Sequence, residues 1–580
     1  MINQMQYNFR ETAKKGLLAG VITLIISVIG MVELFAERSL VADLLTMGQV
    51  LIFAAAAIFS FLYSDSLNRG NVREWILTGF TIGAFSAPPL LILIWLTQVV
   101  NLRQFFANVS PALIELLTFH QEPLTGSLLL TAAFIVIGIV AAGVSQIPEK
   151  TRRPILTGFL GALAIGLFSE IISLRLKALI GDLFGRQVGD SFSNFLFESR
   201  ALRILPAAVI FALIAWLTIR RRKMQEEGHE SRISFPLLVD GRLQWRNLLI
   251  IVIAMSVLPI LLGSYLSEVV NVVGIFVLMG LGLNIVVGFA GLLDLGYVAF
   301  FAVGAYTMAI LTSEGALGVF GISFWAALPI AVAMSTLAGI ILGMPVLRMR
   351  GDYLAIVTLG FGEIIRLLAL SDMLRPFIGG ALGVLRIPKP YIGPLDLYLV
   401  KPEHLYFVVL LGVLLAAFVS WRLRDSRLGR QWMAMREDED VAEAMGINLV
   451  KTKLLAFAVG AAFSGLAGAI FASKLTSIFP HSFNLLISIN VLSLIIVGGI
   501  GSLPGVIVGA FILVGLPEML REFAEFRQLM YGALLVVMML ARPEGFLPSS
   551  IHKRELHVGD EPPIDLDSTP ISAAPEGGAR

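Results

Sequence analysis

Cysteine is absent from this chain of 580 residues, so no disulfide, thiolate metal site or cysteine nucleophile is available to it. Charge is scarce as well. Asp, Glu, Lys and Arg make up 14% of the residues and balance to a net +2, too small an excess to recruit nucleic acid. Histidine numbers six, and among residues 1–219 only His120 occurs, with no metal-ligand spacing and no catalytic triad around it. That leaves no convergent chemistry for a membrane-enzyme domain there. No GxxxxGK[ST] phosphate loop occurs anywhere in the chain.

What is abundant is apolar. Hydrophobic residues make up 57% of the chain, the mean hydropathy is +0.86, and there are 55 glycines. This composition excludes a soluble globular domain and predicts an all-α polytopic membrane protein. A helix needs about 20 apolar residues to cross the hydrocarbon, because every backbone group must be paired within the span. On that basis about sixteen segments qualify.

About six lie in an N-terminal membrane extension, residues 1–219, near 16–35, 45–63, 75–99, 126–144, 154–174 and 202–219. The first is too long for a signal peptide's apolar region and stays as a span. Pro88 and Pro89 predict a kink in the third. A polar connector, 220–246, opens with RRRKMQEEGHESR and reads as a cytoplasmic linker. Residues 247–548 hold about ten more segments, near 247–263, 269–288, 297–312, 325–346, 353–370, 404–420, 454–472, 485–497, 506–516 and 529–540. The tail, 549–580, is polar and proline-rich and reads as disordered and cytoplasmic. Arg69, Arg73, Lys150, Arg152, Arg153, Arg220 to Lys223, Arg348 and Arg350 fall in alternate loops, which predicts both termini inside; a longer loop with Arg175, Lys177, Arg186, Arg200 and Arg203 runs against this.

One dense run of charge interrupts the apolar pattern, RLRDSRLGRQWMAMREDEDVAEAMGINLVKTK, from Arg422 to Lys453. Residues 429–445 contain good helix formers and no proline, and Gly446 follows in the position of a C-terminal cap, so the spacing predicts one short helix. Trp432, Met435, Val441, Ala442 and Met445 share its apolar side, and Arg436, Glu437, Asp438, Glu439, Asp440 and Glu443 supply its polar surface. Such a helix suits docking to another protein; a solvated loop helix joining two spans is the plainer alternative.

Three further segments carry possible pathway chemistry. GLGLNIVVGFAGLLDLGYVAFFAVGAY, 280–306, contains Asn284, Gly288, Gly291 and Gly296, and IIVGGIGSLPGVIVGAF, 495–511, contains Gly498, Gly499 and Gly501. Their similar layout reads either as an internal repeat with helix breaks at membrane depth or as a chance likeness of glycine-rich turns. In MPVLRMRGDYLAIVTLGFGEIIRLLALS, Glu363 and Arg366 are three residues apart and share a face, which marks either a pathway or a structural lock, the lock being favoured because the two charges neutralise each other within one helix. Asn271, Asn284, Ser335 and Asn490 are pathway candidates by chemistry, against helix-packing contacts as the commoner role.

Residues 247–548 resemble the inner-membrane permease subunits of branched-chain amino-acid ABC importers, a family that includes urea and amide permeases. The matching runs are GLNIVVGFAGLLDLGYVAFFAVGAY, PVLRMRGDYLAIVTLGFGEIIRL, SRLGRQWMAMREDEDVAEAMGINLVKTKLLAFAVGAAFSGLAGAIFA, VGGIGSLPGVIVGA and ARPEGFLP, in the family's order. The resemblance implies an ABC importer permease core. It implies that Glu443, Ala444 and Gly446 belong to a coupling helix seated in a groove of a separate ATP-binding subunit. ATP and Mg would then sit on partner subunits and no cofactor on this chain. It also implies a second homologous permease and an extracytoplasmic binding protein as partners, and branched-chain or other hydrophobic amino acids as cargo, with urea or short amides next. The segment FIGGALGVLRIPKP departs from the family pattern at Ile378 and Ala381. An ion-driven secondary transporter is the alternative from outside the family, but mid-span acidic groups such as Glu170 and Glu363 are few.

Overall fold

A computed structural model of the chain describes residues 7–548 except 43, 68–70, 199–200, 227–237, 240–241, 244, 347–348, 350, 394–396 and 520–525. Arg69, Arg200, Arg348, Arg350, the middle of the 220–246 connector and the 549–580 tail therefore lie outside the described residues. The chain is helical throughout its apolar segments and divides into two compact units, Met1–Gln244 and Trp245–Arg580.

In the first unit the principal helices are α1 (Phe9–Val28), α2 (Met47–Asp65), α3 (Val72–Ser86), α4 (Pro88–Val99), α5 (Pro123–Gln146), α6 (Glu149–Leu167), α7 (Ser169–Phe184), α8 (Arg186–Leu196) and α9 (Ile204–Glu226). Pro88 and Pro89 open α4 directly after α3, so the expected irregularity falls there. The 154–174 segment is not one straight helix: α6 and α7 meet at a bend of 73°. Four short strands, β1 (Ser39–Val41), β2 (Leu45–Thr46), β3 (Phe197–Glu198) and β4 (Ala201–Leu202), form one sheet in the order β2-β1-β4-β3.

The second unit contains α10 (Trp245–Leu283), α11 (Val298–Thr312), α12 (Phe324–Val346), α13 (Asp352–Leu370), α14 (Pro402–Arg424), α15 (Arg427–Glu437), α16 (Glu439–Ala444), α17 (Leu449–Leu475), α18 (Leu485–Gly498), α19 (Leu503–Ala510) and α20 (Arg527–Ala541). The 247–263 and 269–288 segments, expected as two spans, are two helical stretches within α10, divided at Gly263, whose backbone is non-helical (φ 69°, ψ −177°); the second continues into a π-helical turn, Asn284–Phe289. Among the described residues ten helices are long and apolar enough to cross a membrane, or eleven if α6 and α7 make one broken span. The chain is thus an all-α multi-pass membrane protein. Several of the expected segments, such as α11, are shorter than the length a lone span requires.

α17 lies at the centre of this unit, packed against α10, α11 and α12. Lipid offers no hydrophobic drive for joining apolar helices, so close van der Waals approach must supply the stability. A methyl group built on Gly468 would sit 2.1 Å from the Phe301 carbonyl oxygen, and one on Gly304 would sit 2.4 Å from that of Gly465. Hydrogen bonds pin the same crossing: the Tyr297 hydroxyl donates to the Gly460 carbonyl at 2.8 Å, and Ser335 Oγ donates to the Phe300 carbonyl at 3.1 Å. Asn271 Nδ2 likewise donates to the Pro402 carbonyl, so Asn271 and Ser335 both make helix-packing contacts.

Candidate functional site

The charged run folds as two helices where one was expected. α15 begins at Ser426, whose Oγ accepts from the Gly429 amide. It stops at Asp438, which is extended (φ −157°, ψ 115°), and Asp438 Oδ1 accepts from the Asp440 and Val441 amides to start α16. Helix propensity alone favours continuity through 429–445, but a short aspartate side chain competes for backbone donors and turns the chain into a new N-terminus. Glu439 and Asp440 in the first turn of α16 complement the positive end of that helix. Gly446 closes it at φ +86°, where glycine carries no side-chain penalty.

The two-helix form redistributes the expected faces. Trp432 is fully buried, with Nε1 donating to the Thr452 carbonyl at 2.9 Å, and Met435 and Ala442 are buried beside it. Val441 and Met445, expected on that same apolar side, are instead 59% and 79% exposed, and Glu443, Ala444 and Gly446 are exposed with them. Glu437, Asp438 and Asp440 are exposed as expected, but Glu439 turns back. It meets the buried Lys453 of α17 at 2.8 Å. Arg436 also turns inward, donating from Nη1 to the Gly288 carbonyl at 2.9 Å. The pattern of charge along the run shows neither inward turn, since both depend on where α17 and the Asn284–Phe289 turn lie in space.

The two glycine-rich segments are each a helix, a break and a second helix, and the breaks meet. Asn284 Oδ1 accepts from the Gly501 amide at 2.9 Å, and a methyl group on Gly288 would stand 2.9 Å from that same nitrogen. Gly498 packs on the Gly505 carbonyl, and Gly499 (φ +117°) abuts Gly545. The Phe546 and Leu547 amides donate to the Val497 and Gly498 carbonyls at 2.9 Å, so the ARPEGFLP run closes over the second break. Gly291 faces the Arg436 side chain, and Gly296 lies against the Thr358 carbonyl of α13. Asp294, which the sequence did not single out, is fully buried between them and accepts from the Gly296 amide at 2.9 Å. A cavity of about 820 Å³ opens where the breaks face α15, lined by Gly288, Phe289, Arg436, Glu437, Gly501 and Ser502 among others.

Glu363 and Arg366 stand apart from this cluster on α13, joined to each other at 2.8 Å.

A surface pair of helices is therefore tied by an arginine to the broken segment of a membrane helix. Residues 265–541 match the family model described as the branched-chain amino acid transport system / permease component. The high-affinity branched-chain amino acid transport system permease protein LivM of Escherichia coli (strain K12) is 41% identical over 322 residues, 52% of this chain and 74% of that protein. The LivM protein of Salmonella typhimurium is 41% identical over 342 residues, 55% of this chain and 78% of that protein. The permease protein LivH of Escherichia coli (strain K12) is 33% identical over 128 residues, 22% of this chain and 41% of that protein. No solved structure matches. The class is a transport permease. The chain belongs to the branched-chain amino-acid ABC transporter permease family.

Proposed function

We propose that this chain is the membrane permease subunit of an ATP-driven importer for branched-chain or other hydrophobic amino acids. ATP and Mg bind to separate ATPase subunits, a second homologous permease completes the translocation unit, and an extracytoplasmic binding protein delivers cargo. The protein resides in the inner membrane with both termini cytoplasmic. Residues 247–548 form the transport core, 1–219 a membrane extension, 220–246 the linker and 549–580 the tail, and the shorter apolar helices add crossings toward a total of about sixteen.

Within this reading α15 and α16 couple the ATPase to the spans through Arg436, Glu437, Asp438, Glu439, Asp440, Glu443, Ala444 and Gly446. The exposed edge, Val441, Glu443, Met445 and Gly446, meets the ATPase, and the buried edge passes displacement to the breaks at Asn284 to Gly296 and Gly498 to Gly501. The observation that carries the reading is the division of one short segment into an exposed apolar and acidic edge and a side anchored on Gly288, Thr452 and Lys453. A bulky base at the exposed edge tests it. Glu443→Arg or Gly446→Arg leaves the protein in the membrane, abolishes uptake and weakens co-purification of the ATPase. Co-purification at unchanged strength would remove the coupling assignment.

A further inference from the structure

The exposed faces of α12, α13 and α14 differ in one respect. Between its ends α12 exposes Ile330, Met334, Leu337, Ile341 and Met344, and α14 exposes Phe407, Leu411, Leu414, Leu415 and Phe418 before the terminal Arg422, all apolar over the stretch that lipid would cover. α13 exposes Tyr353, Ile356, Ile364 and Leu367, and between them on the same side it carries Gly360 and the Glu363–Arg366 pair. A methyl group on Gly360 would meet nothing within 4 Å, so among the described residues no neighbour explains a weak helix former in the middle of this helix. The two charged side chains retain 35% and 30% exposure. Glu363 lies roughly 16 Å along the helix from Asp352, near the middle of a hydrocarbon layer about 30 Å thick. Even a paired carboxylate and guanidinium are costly against acyl chains, and such groups face water or protein.

We propose that this face of α13 lines the water-filled translocation route, and that Glu363 and Arg366 form a polar step for the zwitterionic head of an amino acid. The inference rests on the transport reading above and deepens it. A free amino acid presents one ammonium and one carboxylate at fixed separation. The Glu363 carboxylate accepts from the ammonium, and the planar Arg366 guanidinium accommodates the carboxylate with two parallel donors. In the empty state the two side chains satisfy each other at 2.8 Å, and the passing head group exchanges with that bond. The open space beside Gly360 leaves room for the cargo at the same depth.

The absence of native cysteine makes the test direct. Single variants Gly360→Cys, Leu367→Cys and Phe418→Cys are made in the full chain, assembled with its partners in membranes, and treated with a charged methanethiosulfonate. Gly360→Cys and Leu367→Cys react about tenfold faster than Phe418→Cys, because a thiol in hydrocarbon neither ionises nor meets a charged reagent. Equal, slow reaction at all three positions overturns the placement of the route, as does cross-linking of Gly360→Cys to the 1–244 unit. The charge exchange Glu363→Arg with Arg366→Glu keeps the bond within the helix but reverses the polar step. Amino-acid uptake falls about tenfold or more while membrane abundance and ATPase co-purification are retained, an expectation from reversing one charge-assisted contact. Wild-type uptake by the exchanged protein overturns the head-group role and leaves the pair a lock. Labelling does not depend on the ATPase contact, so failure of the coupling assignment, seen as unchanged ATPase co-purification by the Glu443→Arg variant, is distinguishable from failure here.

Discussion

The Arg436 guanidinium reaches from the surface helix α15 to the main-chain oxygen of Gly288, 2.9 Å away and 148 positions distant in the chain. Gly288 sits in the π-helical turn that ends the long helix α10, so its carbonyl is not tied into a regular α-helical ladder and is available to an external donor. The Arg436 stem passes over Gly291, where a methyl group would stand 2.8 Å from Cγ. One side chain thus grips the broken segment at two points.

Arg436→Met keeps the stem and removes the donor. Loss of a charge-assisted hydrogen bond of about 1.5–3 kcal/mol lowers uptake about tenfold. ATPase co-purification stays unchanged, and ATP hydrolysis continues without matching uptake. The ratio of amino acid imported to ATP hydrolysed in proteoliposomes measures this. Intact stoichiometry would show that Arg436 only fastens the fold.

The Lys453–Glu439 pair fixes the other end of the anchor. Lys453 is nearly fully buried on α17, so Lys453→Met alone takes the ammonium from a carboxylate in a packed region and costs about 3–5 kcal/mol. The double variant Lys453→Met with Glu439→Gln recovers part of that loss, giving a coupling energy of about 0.5–3 kcal/mol. Thermal unfolding of the solubilised complex, followed for both single variants and the double, closes the cycle. Strict additivity would mean that the two side chains contribute independently.

Two glycines of the same motif family behave oppositely. A methyl group on Gly296 would lie 1.8 Å from the Thr358 carbonyl oxygen, a backbone atom that cannot swing aside, whereas one on Gly360 meets nothing within 4 Å. Gly296→Ala therefore separates α11 from α13 and lowers the amount of folded protein in the membrane. Gly360→Ala leaves that amount unchanged or raises it, since alanine is favoured over glycine in a helix by about 1 kcal/mol. Quantitative immunoblotting of membranes after solubilisation in mild detergent compares them.

Composition and hydrophobic run length were enough to establish a helical membrane protein, and the glycine-rich motifs offered helix breaks as one of two readings. These properties are written along the chain: a span needs a certain length of apolar residues, and a break needs small ones. The cap at Gly446 was equally legible, because a left-handed residue after a helix is a local requirement. The division of residues 429–445 at Asp438, the inward turn of Arg436 and Glu439, and the outward turn of Val441 and Met445 were decided only by tertiary structure. The periodicity of a short helix says which residues share a side, but not which side meets the protein. That choice belongs to segments far away in sequence: α17, which offers the buried Lys453 and the Thr452 carbonyl, and the π-helical turn, which offers Gly288.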